Sequence, residues 1–315
     1  MVKNQCIIGE KEKEVLSMQP LLKRKISRKN SYQLRKLKEG ERIPLVSSTM
    51  FETMLNNESR KKYLCYMLSL ILEKDMNQIM ENIHFVKQEL DKENYHHSKK
   101  TVDLVCKLDD DIYNIELNNN MEVEGLERNI SYAADLYKSK MFRGSDYRYQ
   151  KVLQINITNF TFEGNESCEE EYFLRDKNGN ILTDKIRILY FYLPKIREKY
   201  YNKSNLSEIE KLLLVFNEQE SKELSEIMEG HEIMEEYVKE SKKTSTKEEV
   251  IGLYDKELYD EAMEYHRIRH AREEGMEKGM KKEKIEIAKS LKEAGVDIEI
   301  IIKSTSLSQK EIENL

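Results

Sequence analysis

VDLVCKLDDDIYNIELNNN, residues 102–120, places two apolar runs on either side of three consecutive aspartates. Each run alternates apolar and polar side chains and is rich in Val, Ile, Leu and Tyr, the pattern of a half-buried strand. Asp109, Asp110 and Asp111 fall where the chain must turn, so the stretch predicts a β-hairpin. Register parity then decides which side chains share a face. With the commonest connection, a two-residue loop, placed at Asp110 and Asp111, Asp103 lies opposite Asn118. With the loop one residue earlier, Asp103 lies opposite Glu116. Both registers put Asp103, Glu116 and Asn118 on one face, whereas a three-residue loop without a bulge turns Asp103 away. Two carboxylates about 5 Å apart across a ladder repel, and each raises the other's pKa unless a cation sits between them. Such a pair, with waters completing an octahedron, suits Mg²⁺ or Mn²⁺. The same residues also fit an exposed edge hairpin with solvated acids.

The whole chain has 315 residues, 36% of them charged and 39% hydrophobic, and no apolar run approaches the length of a membrane span, about 20 residues. That length carries one sizeable core with appendages, or two domains. The N-terminal VKNQCIIGEKEKE lacks the apolar region of a secretory signal, and we expect a soluble, cytoplasmic protein. Cys6, Cys65, Cys106 and Cys168 form no CxxC pair, which argues for reduced thiols and against a disulfide framework or a zinc site. The net charge of −6 disfavours indiscriminate binding to nucleic acid. Residues 23–42, however, hold nine Lys or Arg against two Glu, a basic arm that fits either phosphate contact or a solvated tail.

Outward from the hairpin, residues 1–44 predict a basic, poorly ordered leader ending at Pro44. In SSTMFETMLNNESRKKYLCYMLSLILEKD, Ser48 or Thr49 caps a helix carrying Met50, Phe51, Met54 and Leu55 on one face, and Asn56 and Asn57 break it. A second helix over about 59–73 buries Tyr63, Leu64, Met67, Leu68, Ile71 and Leu72. Residues 76–93 are ambiguous, and His96–Lys100 reads as a connection in which adjacent His96 and His97 point apart, against a shared metal site. After the hairpin, residues 124–142 carry Leu126, Ile130, Ala133, Ala134, Leu136, Tyr137 and Met141 at helical spacing. Gly144 ends that helix and residues 151–160 return as a strand. Asn178-Gly179 turns a second hairpin between 173–176 and 185–193, and Pro194 closes the mixed α/β portion, 45–203. Residues 204–272 predict helices over 206–220, 221–241 and 248–272. A charged helical tail, 273–315, follows: an extension ending at Gly295, then two short helices, the last capped by Ser306 or Ser308 with Glu311 as its capping-box partner.

This order of helix, strand with Asp103, turn, strand with Glu116-x-Asn118, helix with Arg128 and Tyr132, and apolar strand resembles the PD-(D/E)XK nuclease superfamily. Within it, the likeness is to the recombination-promoting nuclease and transposase group. VDLVCKLDDDIYNIELN, RNISYAADLYKSKMFRGSDYRYQKVLQINI and EEGMEKGMKKEKIEIAKSLKEAGVDIEIIIKSTSLSQKEI carry it. The resemblance implies an α/β fold over 45–203, a restriction-endonuclease-like core in which helices flank a mixed central sheet, with an all-helical C-terminal extension. It implies a metal-dependent DNA endonuclease associated with mobile elements. Mg²⁺ or Mn²⁺ would be held by Asp103, Glu116 and the backbone carbonyl of Leu117, with Asp103, Glu116 and Asn118 as the catalytic set.

Asn118 departs from the pattern, because the superfamily usually has lysine there and the nearest group glutamine. Asparagine can orient water but brings no positive charge. By the same likeness Glu52, on the helix before the hairpin, is a candidate accessory ligand. Arg128 and Tyr132, four apart on one helix face, are candidates for meeting the phosphate, while Tyr132 also fits a core position. Two other readings stay open: an inactive descendant that binds DNA or a protein partner, and a homo-oligomer formed through the helical C-terminal half.

Overall fold

The computed structural model describes residues 35–86, 103–119, 123–139 and 150–315. Its six strands are β1 (Ile83–Val86), β2 (Leu104–Leu108), β3 (Asp111–Asn118), β4 (Val152–Thr158), β5 (Glu169–Arg175) and β6 (Ile181–Tyr192). They form one mixed sheet of order β1-β2-β3-β4-β6-β5. β3, β4 and β6 run parallel to one another, and β1, β2 and β5 pair antiparallel with their neighbours. β4, VLQINIT, is buried along its whole length, as a central parallel strand covered on both faces must be. Leu108 pairs with Asp111, so the loop is Asp109-Asp110, with Asp109 in the left-handed region at φ 54°, where Asp is tolerated. Of the two registers weighed above, this is the one that carries Asp103 opposite Glu116.

The helices are α1 (Ser48–Met54), α2 (Lys61–Leu72), α3 (Met76–Asn82), α4 (Val123–Ser139), α5 (Leu193–Tyr201), α6 (Glu208–Asn217), α7 (Lys222–Met228), α8 (Glu232–Ser245), α9 (Glu248–Glu293), α10 (Ile298–Thr305) and α11 (Gln309–Glu313). α4 covers the sheet face that carries Glu116. Leu126 packs with Phe160, Phe162, Tyr190 and Tyr192, and Tyr132, Ala133 and Leu136 pack with Val105, Ile112 and Val152. On the opposite face Leu104, Cys106, Ile115, Ile155, Ile157 and Leu189 are buried. α2, α6 and α8 pack on one another, with Tyr63 edge-on to Tyr237 at 5.2 Å and Phe216 4.0 Å from the same ring. Arg42, at the end of the basic stretch, is 1% exposed. Its guanidinium donates to the carbonyls of Val215, Phe216 and Glu218, the acceptors that the last turn of α6 leaves unpaired.

By compactness the chain divides into two units, one up to Asp255 and the other Lys256–Leu315. The second closes its own small core from Ala288, Ile301, Leu307 and Ile312. No described helix is long and apolar enough to cross a membrane.

Several local expectations are corrected. Ser47, not Ser48 or Thr49, caps α1, and Ile71 and Leu72 are only half-buried. The ambiguous stretch after Met76 holds a seven-residue helix and then an edge strand, β1, whose four residues are too few to show a period. On α4, Ile130 and Ala134 are exposed while Asn129 and Tyr132 are buried, because the face toward the sheet meets polar groups as well as apolar ones. Pro194 follows the last strand and lies in the first turn of α5, where its fixed φ and missing N–H are tolerated. Gly230, at φ 80°, divides the span 221–241 into α7 and α8, and α9 continues without a break through residue 272. Ser308 caps α11 in a capping box with Glu311. His96, His97, Met141, Gly144, Cys6 and the leader up to residue 34 lie outside the described residues.

Candidate active site

Asp103 directly precedes β2 and Glu116 lies in β3, and the hairpin register ties each carboxylate to the other strand's backbone. The Leu117 N–H donates to Asp103 Oδ2 at 2.8 Å, and the Asp103 N–H donates to Glu116 Oε1 at 3.3 Å. A second donor, Asn114 Nδ2, reaches the same Glu116 oxygen at 3.1 Å. Glu116 is 3% exposed. Burial pushes both carboxyl groups above the usual carboxylate range, and the negative charge of Asp103 pushes Glu116 further up, as Glu52 does for Asp103. The N–H donors and the Arg128 guanidinium oppose that rise in both groups. This is the electrostatic signature of a site short of positive charge.

α4 brings two further residues into this field. Arg128 is exposed, yet its charge acts on Asp103, Glu116 and Tyr132 alike. Tyr132 is buried at 5% exposure. Burial raises its hydroxyl pKa, Arg128 lowers it, and Glu116 and Asp103 raise it further. Glu52 is exposed on α1 and accepts a hydrogen bond from Asn56 Nδ2 at 2.8 Å. Among the described residues no three His, Cys, Asp or Glu side chains gather closely enough to hold a metal, and Glu52 reaches the pair through its charge, which acts on Asp103.

Asn118 shares the face of Glu116 and is 4% exposed. Its Nδ2 lies 3.5 Å from Asn156 Oδ1, and its own Oδ1 is buried without a partner. Leu117 meets the pair through its N–H. The donors on this face, two carboxylates and a buried amide oxygen with unused lone pairs, are all hard oxygens and fit a divalent cation of the Mg²⁺ or Mn²⁺ kind with water filling its shell.

Sequence reasoning passed over Asn114, Gln154, Asn156 and Asn129, which are fully buried around Glu116 and beneath α4. For Asn114, Gln154 and Asn156 the signal was present in β3 and β4, where YNIELN and LQINIT set a polar residue at every second position of strands buried on both sides. In a covered strand such positions should be apolar.

A mixed sheet flanked by helices, with Asp and Glu facing each other at the mouth of a hairpin and a helix delivering Arg and Tyr above them, defines a restriction-endonuclease-like α/β protein. A family model for the PD-(D/E)XK nuclease family transposases matches residues 49–271, and the chain belongs to this family. The match contains Asp103, Glu116, Asn118, Arg128 and Tyr132. No curated protein and no solved structure matches the chain. PD-(D/E)XK nucleases generally use divalent metal ions.

Proposed function

We propose that this protein is a metal-dependent endonuclease that hydrolyses phosphodiester bonds of DNA in the cytoplasm, in the service of a mobile element. The observation that supports the reading is the register-held Asp103–Glu116 pair, buried together and pushed toward their neutral forms. On this reading Asp103, Glu116 and the Leu117 carbonyl hold Mg²⁺ or Mn²⁺. The ion supplies stabilisation of charge on the phosphate and a more acidic bound water. Asp103 and Glu116 are kept apart and oriented by the backbone N–H groups they accept. Arg128 stands where an incoming phosphate adds charge, Tyr132 can donate its hydroxyl, and Asn118 Oδ1 can accept from the attacking water and orient it. Glu52 tunes Asp103 from α1.

Plasmid nicking in Mg²⁺ or Mn²⁺ tests this. Asp103→Ala and Glu116→Ala should each abolish cleavage, and nicking that persists in both variants overturns the assignment. A second reading, an inactive nuclease fold that binds DNA or a protein partner, is favoured by one observation: Asn118 brings no cation to the position where the superfamily has lysine. Calorimetric titration of the wild type with Mn²⁺ separates the two, since absence of binding supports the inactive form.

A further inference from the structure

Four side-chain amides that the nuclease reading leaves unused form a buried line reaching Glu116. Asn114, Gln154, Asn156 and Asn129 are each 0% exposed. Buried amides cost free energy relative to apolar side chains unless they are fully hydrogen-bonded, and Asn114 Oδ1 and Asn129 Oδ1 have no partner. Stability is therefore a poor reason for their presence.

The direction of each bond carries the information. An amide offers a donor on one side and an acceptor on the other, and can be turned either way, whereas a backbone carbonyl only accepts. Asn156 Nδ2 donates to the Leu189 carbonyl at 3.2 Å. That sets Asn156 Oδ1 on the other side, where it accepts from Gln154 Nε2 at 3.1 Å and from Asn129 Nδ2 at 2.7 Å. Gln154, turned this way, presents Oε1 to Asn114, whose Nδ2 donates to it at 2.6 Å and to Glu116 Oε1 at 3.1 Å. A line anchored on one carbonyl thus ends with an N–H pointed at the carboxylate. Reversing any single amide sets oxygen against oxygen.

We propose that Gln154 is a positioning residue of the nuclease site. Through Asn114 it holds Glu116 Oε1, leaving Oε2 as the oxygen that would meet a metal. Through Asn156 and Asn129 it fixes α4, with Arg128 and Tyr132, against the same strand. The inference rests on the reading of Asp103 and Glu116 as metal ligands. Groups that orient a metal ligand from behind change metal affinity by about 10–100-fold.

The test is Mn²⁺ affinity of the full chain by calorimetry, without DNA, for the wild type, Glu116→Ala, Gln154→Met, Asn114→Leu and the Gln154→Met/Asn114→Leu double variant. Gln154→Met and Asn114→Leu should each weaken binding at least about tenfold. The double variant should be no weaker than the worse single, because both act through one bond to Glu116. Unchanged affinity in folded Gln154→Met, or losses that add, overturns the proposal while leaving the nuclease reading intact if Glu116→Ala still abolishes binding. A wild type that binds no Mn²⁺ removes the nuclease reading and the inference with it. Should the substitutions prevent folding, wild-type protein labelled with ¹⁵N in its Asn and Gln side chains keeps the question open to measurement. The Asn114 and Gln154 amide resonances should move on Mg²⁺ addition with the calorimetric midpoint, and resonances that stay in place overturn the proposal.

Discussion

Glu116 accepts two N–H groups on Oε1, from the Asp103 backbone and from Asn114, and is still pushed upward by burial and by Asp103. The pair is therefore held at an electrostatic cost. Because the folded carboxyl holds its proton at a pH where the unfolded chain has released it, stability falls as pH rises from the ordinary carboxylate range toward neutrality. Gln at 116 keeps an acceptor for both donors and carries no charge. In EDTA, Glu116→Gln should melt higher than the wild type, with a gap that widens between about pH 5 and pH 8. The gap should reach several degrees, at about 1.4 kcal/mol per pKa unit and about 2–4 °C per kcal/mol. Mn²⁺ should stabilise only the wild type, closing or reversing that gap, and melting curves that stay parallel across this range would contradict the account. Asp103, Glu116 and Asn118 could be placed on one face from sequence because a hairpin's parity is local. Gln154 and Asn156 could not be tied to them that way, since the parallel pairing of β3 with β4 joins residues 40 apart.

At the scale of the element, α4 shows where periodicity misleads. The apolar residues at helical spacing outline a stripe that includes Ile130, but the helix is rotated so that Asn129 faces the sheet and Ile130 is 49% exposed. Counting apolar side chains assumes an apolar opposing surface, and here part of that surface is Asn156 and Tyr190, both bonded by Asn129. Ile130→Lys should cost no more than about 0.5 kcal/mol in urea unfolding. Leu126→Ala, in the aromatic cluster of Phe160, Phe162, Tyr190 and Tyr192, should cost about 2–5 kcal/mol. Equal costs would mean the helix is phased otherwise. Arg42 presents the same lesson in the opposite direction. Its place in a basic stretch suggests solvent, whereas it closes the C-terminal end of α6 and lies 5.8 Å from the Tyr237 ring centre, as a cation at a helix C-terminus should. Arg42→Met, which fills the volume but donates nothing, should lose about 2–3 kcal/mol.

For the whole molecule, the family match ends at residue 271, inside α9, while the compact unit that begins at Lys256 has its core beyond that end. Ala288, Ile301, Leu307 and Ile312 meet one another and are flanked by Ile285, Leu291, Val296 and Leu315. The contacts of this cluster are thus supplied by residues 285–315. Gly295, at φ 74°, turns α9 into α10, and the αL residue Ser306 with the Ser308–Glu311 capping box turns α10 into α11. A core so small and so local should open on its own, since regions of low contact density unfold at a lower free energy than the global value. Ile301→Asp places a charge where 1% of the side chain is exposed and should remove amide hydrogen-exchange protection across residues 285–315. Protection of β4, and Mn²⁺ affinity, should stay at the wild-type level. Loss of β4 protection in that variant would show that the tail and the nuclease core fold as one cooperative body.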